Sequence, residues 1–127
     1  MSPADRPREL LALAENDYQA ALILARAENP QADAAGFHLQ QAVEKSLKAW
    51  LALKGADFPR THDLSLLLGL LEDQGESIDP FWSLLELNSF AVQFRYELPG
   101  EEFSNFKQLA QLTKKLLAHV QSILGPD

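Results

Sequence analysis

Wound at about 100° per residue, the segment from Phe37 to Leu51 separates into two faces. Leu39, Ala42, Val43, Ser46, Leu47, Trp50 and Leu51 fall on one half, while His38, Gln41, Glu44, Lys45 and Lys48 gather on the other with Phe37 among them. An apolar stripe of this width admits a helix packed on one side and excludes a strand, whose faces alternate every second residue. The same period runs through the rest of the chain, and no alternating stretch interrupts it.

The spacing predicts a first helix from near Pro7, a residue tolerated in a first turn, to about Glu28. Its inward stripe is Leu10, Leu11, Ala14, Tyr18, Ala21, Leu22 and Ala25. Asn29-Pro30-Gln31 breaks it, and the second helix runs from about Asp33 to Lys54, with Gly55 placed to end it. Residues 56–63 carry turn chemistry and finish in candidate caps, Thr61 and Asp63.

A short third helix faces Leu64, Leu67, Leu68 and Leu71 inward and stops at Gly75. A fourth starts near Pro80 and ends at Leu98-Pro99-Gly100; its apolar residues Phe81, Leu84, Leu85, Leu87, Phe90, Val92 and Phe94 cover much of the circumference, which predicts burial on more than one side. The last, about Phe103 to Leu124, buries Phe106, Leu109, Ala110, Thr113, Leu116, Leu117 and Val120. The expected fold is all-α: a five-helix antiparallel up-down bundle in a single domain spanning residues 1–127. The broad apolar faces point to a second copy covering part of them.

Eleven basic against eighteen acidic side chains leave a formal charge of −7, which argues against duplex DNA as a partner. A local basic patch still suits a nucleotide or a short single strand. Without cysteine there is no disulfide, thiolate nucleophile or cysteine-ligated metal site, and the three histidines have no metal-ligand spacing. The N-terminus lacks the build of a signal peptide, and no apolar run reaches the roughly 20 residues of a membrane span. A soluble, cytoplasmic protein without membrane contact, metal or cofactor is expected.

Three constellations can carry chemistry. His38, Gln41, Lys45 and Lys48 are related by steps of three and four and can converge on a phosphate-bearing ligand; on spacing alone a solvated face or subunit contact, with Glu44 and Lys48 as an i,i+4 pair, is the favoured account. In Arg60-Thr61-His62-Asp63, His62 can act as acid or base, or can pack on a helix end while a neighbour caps the third helix. In Phe94-Arg95-Tyr96-Glu97, Arg95 can grip a phosphate and Tyr96 can stack, or Arg95 can pair with a nearby carboxylate.

Taken together, these residues resemble a known family. Phe37-His38, Gln40-Gln41-Ala42, Glu44-Lys45 and Lys48-Ala49 resemble the second-helix signature of HEPN domains. Pro59-Arg60-Thr61-His62-Asp63-Leu64 is similar to that family's following loop, and Arg95-Tyr96 to its helix-four pair. The three elements occur in the family's order along nearly the whole chain.

The resemblance implies a helical bundle that forms a homodimer, often encoded beside a minimal nucleotidyltransferase in a toxin–antitoxin-type pair. It also implies, for some members, a metal-independent ribonuclease whose motif is an arginine followed four to six residues later by a histidine. Here Arg95 is followed by Tyr96-Glu97-Leu98-Pro99-Gly100-Glu101-Glu102, without histidine, and His119 is too distant.

The expectation is therefore a homodimeric nucleotide-binding or interaction module that partners a nucleotidyltransferase, with Arg95, Tyr96, His38, Gln41, Lys45 and Lys48 lining its groove. The alternative is a ribonuclease toxin acting on single-stranded RNA through an atypical pair, Arg95 with His62 or with His38. In a third reading the stripe only fixes dimer geometry.

Overall fold

The computed structural model describes residues 5–90 and 105–126. Their element order is α1 (Asp5–Arg26), α2 (Ala32–Leu53), α3 (Leu64–Asp73), a 3-10 helix η1 (Asp79–Phe90) and α4 (Phe106–Leu124). The described residues fold as an all-helical bundle of five helices. Arg95 and Tyr96, with the expected second half of the fourth helix, lie outside the described residues.

α2 is the central element, with α1, α3, η1 and α4 all packed on it and the α1 interface the most extensive. This position follows from its composition. Leu39, Ala42, Val43, Leu47, Ala49 and Leu51 are fully buried, and small residues at Ala35, Gly36 and Ala42 let neighbouring backbones approach. A Cβ on Gly36 would stand 2.5 Å from the Phe90 ring, so the ring packs directly on the α2 backbone.

Both α2 and α3 end in the same hydrogen-bonded turn. After α2, Gly55 donates to the Ala52 carbonyl and Ala56 to that of Leu51; after α3, Gly75 donates to Glu72 and Glu76 to Leu71. Gly55 and Gly75 carry the positive φ (71° and 82°) that this motif requires. At the start of α3, the Asp63 carboxylate accepts the Ser65 amide at 3.0 Å, one of the two caps the sequence offered. It also accepts from Asn88 Nδ2 at 2.9 Å and Ser65 Oγ at 2.7 Å, and these bonds hold its pKa below the usual carboxylate value.

The fourth helix departs from expectation. Asp79–Phe90 winds as a 3-10 helix, with Phe81, Leu84, Leu87 and Phe90 buried at strict three-residue intervals. In an α-helix each such step falls back by about 60°, spreading these four around half the circumference. At three residues per turn they align in one row. Burial on more than one side is thus replaced by burial of one row, flanked by half-buried Trp82 and Leu85, with Ser83 and Glu86 exposed.

One end of the bundle is tied by Trp50, which is 1% exposed. Its Nε1 donates to Glu76 Oε1 at 3.0 Å, and its ring meets those of Phe81 and His119 edge-on at 6.1 and 4.6 Å. Lys54 adds an ion pair to the same Glu76 oxygen at 3.5 Å. The Trp50 bond chiefly holds the Glu76 carboxyl below its ordinary pKa, against a smaller rise from burial. Among the described residues, no helix is long and apolar enough to cross a membrane.

Candidate functional site

The polar stripe of α2 is built around two carboxylates, one from α1 and one of its own. Asp17 projects from α1 between two α2 side chains seven positions apart. His38 Nδ1 lies 3.0 Å from Asp17 Oδ1, and Lys45 Nζ donates to Asp17 Oδ2 at 2.5 Å. Two helical turns separate His38 from Lys45 on the same face, so one carboxylate clamps both and fixes the register of α1 on α2.

The second carboxylate is Glu44, 4% exposed. Its Oε2 accepts from Lys48 Nζ at 3.0 Å; its Oε1 accepts from His62 Nδ1 at 2.9 Å and Gln40 Nε2 at 3.1 Å. Gln40 also donates to the His62 backbone carbonyl at 3.2 Å and accepts from Gln41 Nε2 at 2.7 Å. Burial pushes the Glu44 carboxyl upward, but the bonds from His62, Lys48 and Gln40 outweigh it and hold the pKa below the ordinary 4.5.

His62 is held differently from Glu44. A carboxylate only accepts hydrogen bonds, so Nδ1 carries the proton, and in the neutral ring Nε2 is the acceptor. The side chain is 63% exposed, so a buried acid orients an imidazole that solvent and solutes reach. The loop carrying it is fixed on both sides, by Gln40 beneath and by Asp63 and Asn88 at the start of α3.

His38, Gln41, Lys45, Lys48 and His62 therefore share one polar surface, although not as a field of free cations. Lys45 is paired with Asp17 and Lys48 with Glu44. The Glu44–Lys48 pair expected from its spacing is present, with its carboxylate end buried and Lys48 half-buried at the edge of the surface. Arg60 is exposed beside His62 in sequence, while Arg95 and Tyr96 lie outside the described residues.

Asp17 was not singled out from the sequence, Gln40 entered only as part of the helix signature and not as a site residue, and the burial of Glu44 was not expected. A signal for the last two was present: Gln40, Glu44, Leu47 and Leu51 follow a spacing of four, three and four, so both polar residues extend a buried leucine row. Asp17 gives no such signal, because its partners lie on another helix. His119 takes no part in this surface and packs on Trp50.

A family model described as HEPN domain matches residues 7–123. Comparison with curated proteins and with solved structures returns no match.

Proposed function

Since the chain belongs to the HEPN domain family, we propose that it is a homodimeric interaction module that takes a nucleotide or the phosphate of a single-stranded RNA along the α2 surface, as the partner of a minimal nucleotidyltransferase in a toxin–antitoxin-type pair. The observation that carries this reading is the Glu44 hub. Burying a carboxylate costs several kcal/mol unless it is compensated (about that order for an ion in a protein interior), and a merely solvated face has no use for it. Here it fixes His62 and Lys48 side by side at the surface, which is preorganisation for a ligand.

The anionic group in this reading meets Lys48 and the imidazolium form of His62 first, with His38, Gln41 and Lys45 along the same helix and Arg95 and Tyr96 as the remaining candidate contacts. Isothermal titration with ATP and other nucleotides is expected to give saturable heats at micromolar to millimolar ligand. His62→Ala and Arg95→Ala are each expected to weaken binding about tenfold, the loss of one charge-assisted contact. No heat above buffer at millimolar nucleotide overturns the ligand half of the proposal. The homodimer is tested by light scattering, where a monomeric mass at micromolar concentration overturns it.

One observation favours the ribonuclease reading as well. An imidazole held through Nδ1 by a buried carboxylate presents Nε2 for proton transfer, as a general base requires. Paired with Arg95 it supplies a base and a phosphate contact without metal. Cleavage of single-stranded RNA in the presence of chelator, abolished by Arg95→Ala and by His62→Ala, is the expected result of that reading. RNA left intact after long incubation with pure protein disposes of it.

A further inference from the structure

Away from the α2 stripe, two adjoining hollows of about 660 and 360 Å³ open between α1 and α4. Tyr18, Leu22 and Arg26 of α1 line both of them and mark their junction. Lys114 lines the larger hollow and Lys107 the smaller, about 10 Å apart along α4. The larger hollow has the size of a small-molecule site, about 300–1,000 Å³. Its apolar floor is closed, since Leu11 and Leu117 belong to the core, so a ligand meets chiefly polar groups.

The first of these groups is a phenol. Tyr18 continues the buried stripe of α1 and is only 7% exposed, with its hydroxyl at the edge of the groove. A tyrosine so deeply buried ordinarily gives its O–H a hydrogen-bond partner, and none of the described residues supplies one. Burial and the Glu15 carboxylate hold its pKa above the ordinary 10, against the opposing pull of Arg26. At neutral pH the hydroxyl is therefore a donor.

Charge gathers at the same place. In a chain of net charge −7, Arg8, Arg26, Lys107 and Lys114 line the hollows against one carboxylate, Glu15. Among the described residues Arg26, Lys107 and Lys114 form no ion pair, whereas Lys45, Lys48 and Lys54 each have a carboxylate. Cations drawn together without counter-charges favour an anion between them. A guanidinium fork and a phenol O–H at the centre, with an ammonium group to either side, match a chain of phosphates better than a single one.

We propose that the α1–α4 groove binds a linear oligophosphate, with Arg26 and the Tyr18 hydroxyl donating to its middle and Lys107 and Lys114 holding its two ends. Free oligophosphate and the tail of a nucleoside triphosphate share this chemistry. The site is separate from the α2 surface and does not rest on the reading given for it: Arg26 and Asp17 are nine positions apart, on opposite flanks of α1.

The test is fluorine NMR on the full chain grown with 3-fluorotyrosine, titrated with tripolyphosphate and separately with ATP, without divalent cations. The chain has two tyrosines, and the Tyr18 resonance is the one lost in Tyr18→Phe. A saturable shift of that resonance at sub-millimolar ligand is expected. Tighter binding of ATP assigns the site to a nucleotide; tripolyphosphate binding as tightly or more tightly assigns it to the phosphate chain alone. Arg26→Gln and the double variant Lys107→Gln/Lys114→Gln are each expected to weaken binding about tenfold. All three cations are exposed, and an unchanged circular dichroism melt establishes that the variants are folded. A Tyr18 resonance unmoved by both ligands at about 5 mM, below any useful affinity, overturns the proposal. So does an equal shift with sulfate at matched ionic strength, or undiminished affinity in Arg26→Gln.

Discussion

Trp50→Ala is expected to lower the free energy of unfolding by about 3–5 kcal/mol, the range for deleting a fully buried large aromatic. Trp50 is the largest of the fully buried side chains, and three elements other than its own converge on it: Phe81 of η1, His119 of α4 and Glu76 just past α3. The helices cannot collapse onto the vacated space, because the turns at Gly55 and Gly75 fix where α2 and α3 end. Against a total stability of about 5–15 kcal/mol the loss is severe, and a fall in Tm of about 10–20 °C is expected by circular dichroism.

Trp50→Phe separates packing from hydrogen bonding. It keeps a ring against Phe81 and His119 but removes the Nε1 bond to Glu76, which is partly exposed and regains water, so a loss of about 1–2 kcal/mol is expected. A Trp50→Ala protein within about 1 kcal/mol of the parent contradicts the burial described here.

The second large effect concerns Glu44 and depends on pH. Glu44→Ala removes the common acceptor of His62, Lys48 and Gln40, and is expected to destabilise the fold by about 2–3 kcal/mol at neutral pH; the full penalty of a broken buried pair is reduced because His62 reaches solvent. The folded-state pKa of Glu44 lies below its unfolded value, so its contribution is complete above the ordinary 4.5 and is lost as pH falls through the folded value. Chemical denaturation of both proteins at neutral and acid pH measures this. The gap between them is expected to be widest at neutral pH and to close in acid. A gap that persists unchanged in acid contradicts the hydrogen-bonded carboxylate, and the comparison cancels the other groups, Asp63 and Glu76 among them, that titrate in both proteins.

Much of the fold is written in short-range pattern. Leu39, Ala42, Val43, Ser46, Leu47, Trp50 and Leu51 are all buried as their spacing requires, and in α4 Leu109, Ala110, Thr113, Leu116, Leu117 and Val120 are buried as expected. Gly55 and Gly75 mark helix ends because nothing else adopts positive φ so readily. The winding of η1 was not legible, since a row at intervals of three becomes a face only once the turn tightens, and a helical template of about 3.6 residues scatters it.

For the site, chemistry was visible and pairing was not. His38, Lys45, Lys48 and His62 are polar residues at telling intervals, and the structure does bring them to one surface. Their carboxylate partners arrive from another helix or from an apparently solvent-facing position. Asp17 is 28 residues from Lys45 and Glu44 is 18 from His62, distances at which periodicity carries no information. The stripe reads as basic from its lysines alone, whereas Asp17 and Glu44 pair with both of them.

The Asp17 clamp has a thermodynamic consequence for any ligand of Lys45. That lysine is already engaged by the helix next door, so an anion that recruits it must win it from Asp17, releasing one of the ties that hold α1 on α2. Binding and cohesion of this helix pair are then linked with opposite signs, and the linkage is reciprocal: whatever loosens α1 sharpens affinity for the anion, and whatever tightens α1 blunts it by the same factor. A ligand on the stripe and the seating of α1 on α2 thus share one equilibrium, with Asp17 as the exchange point.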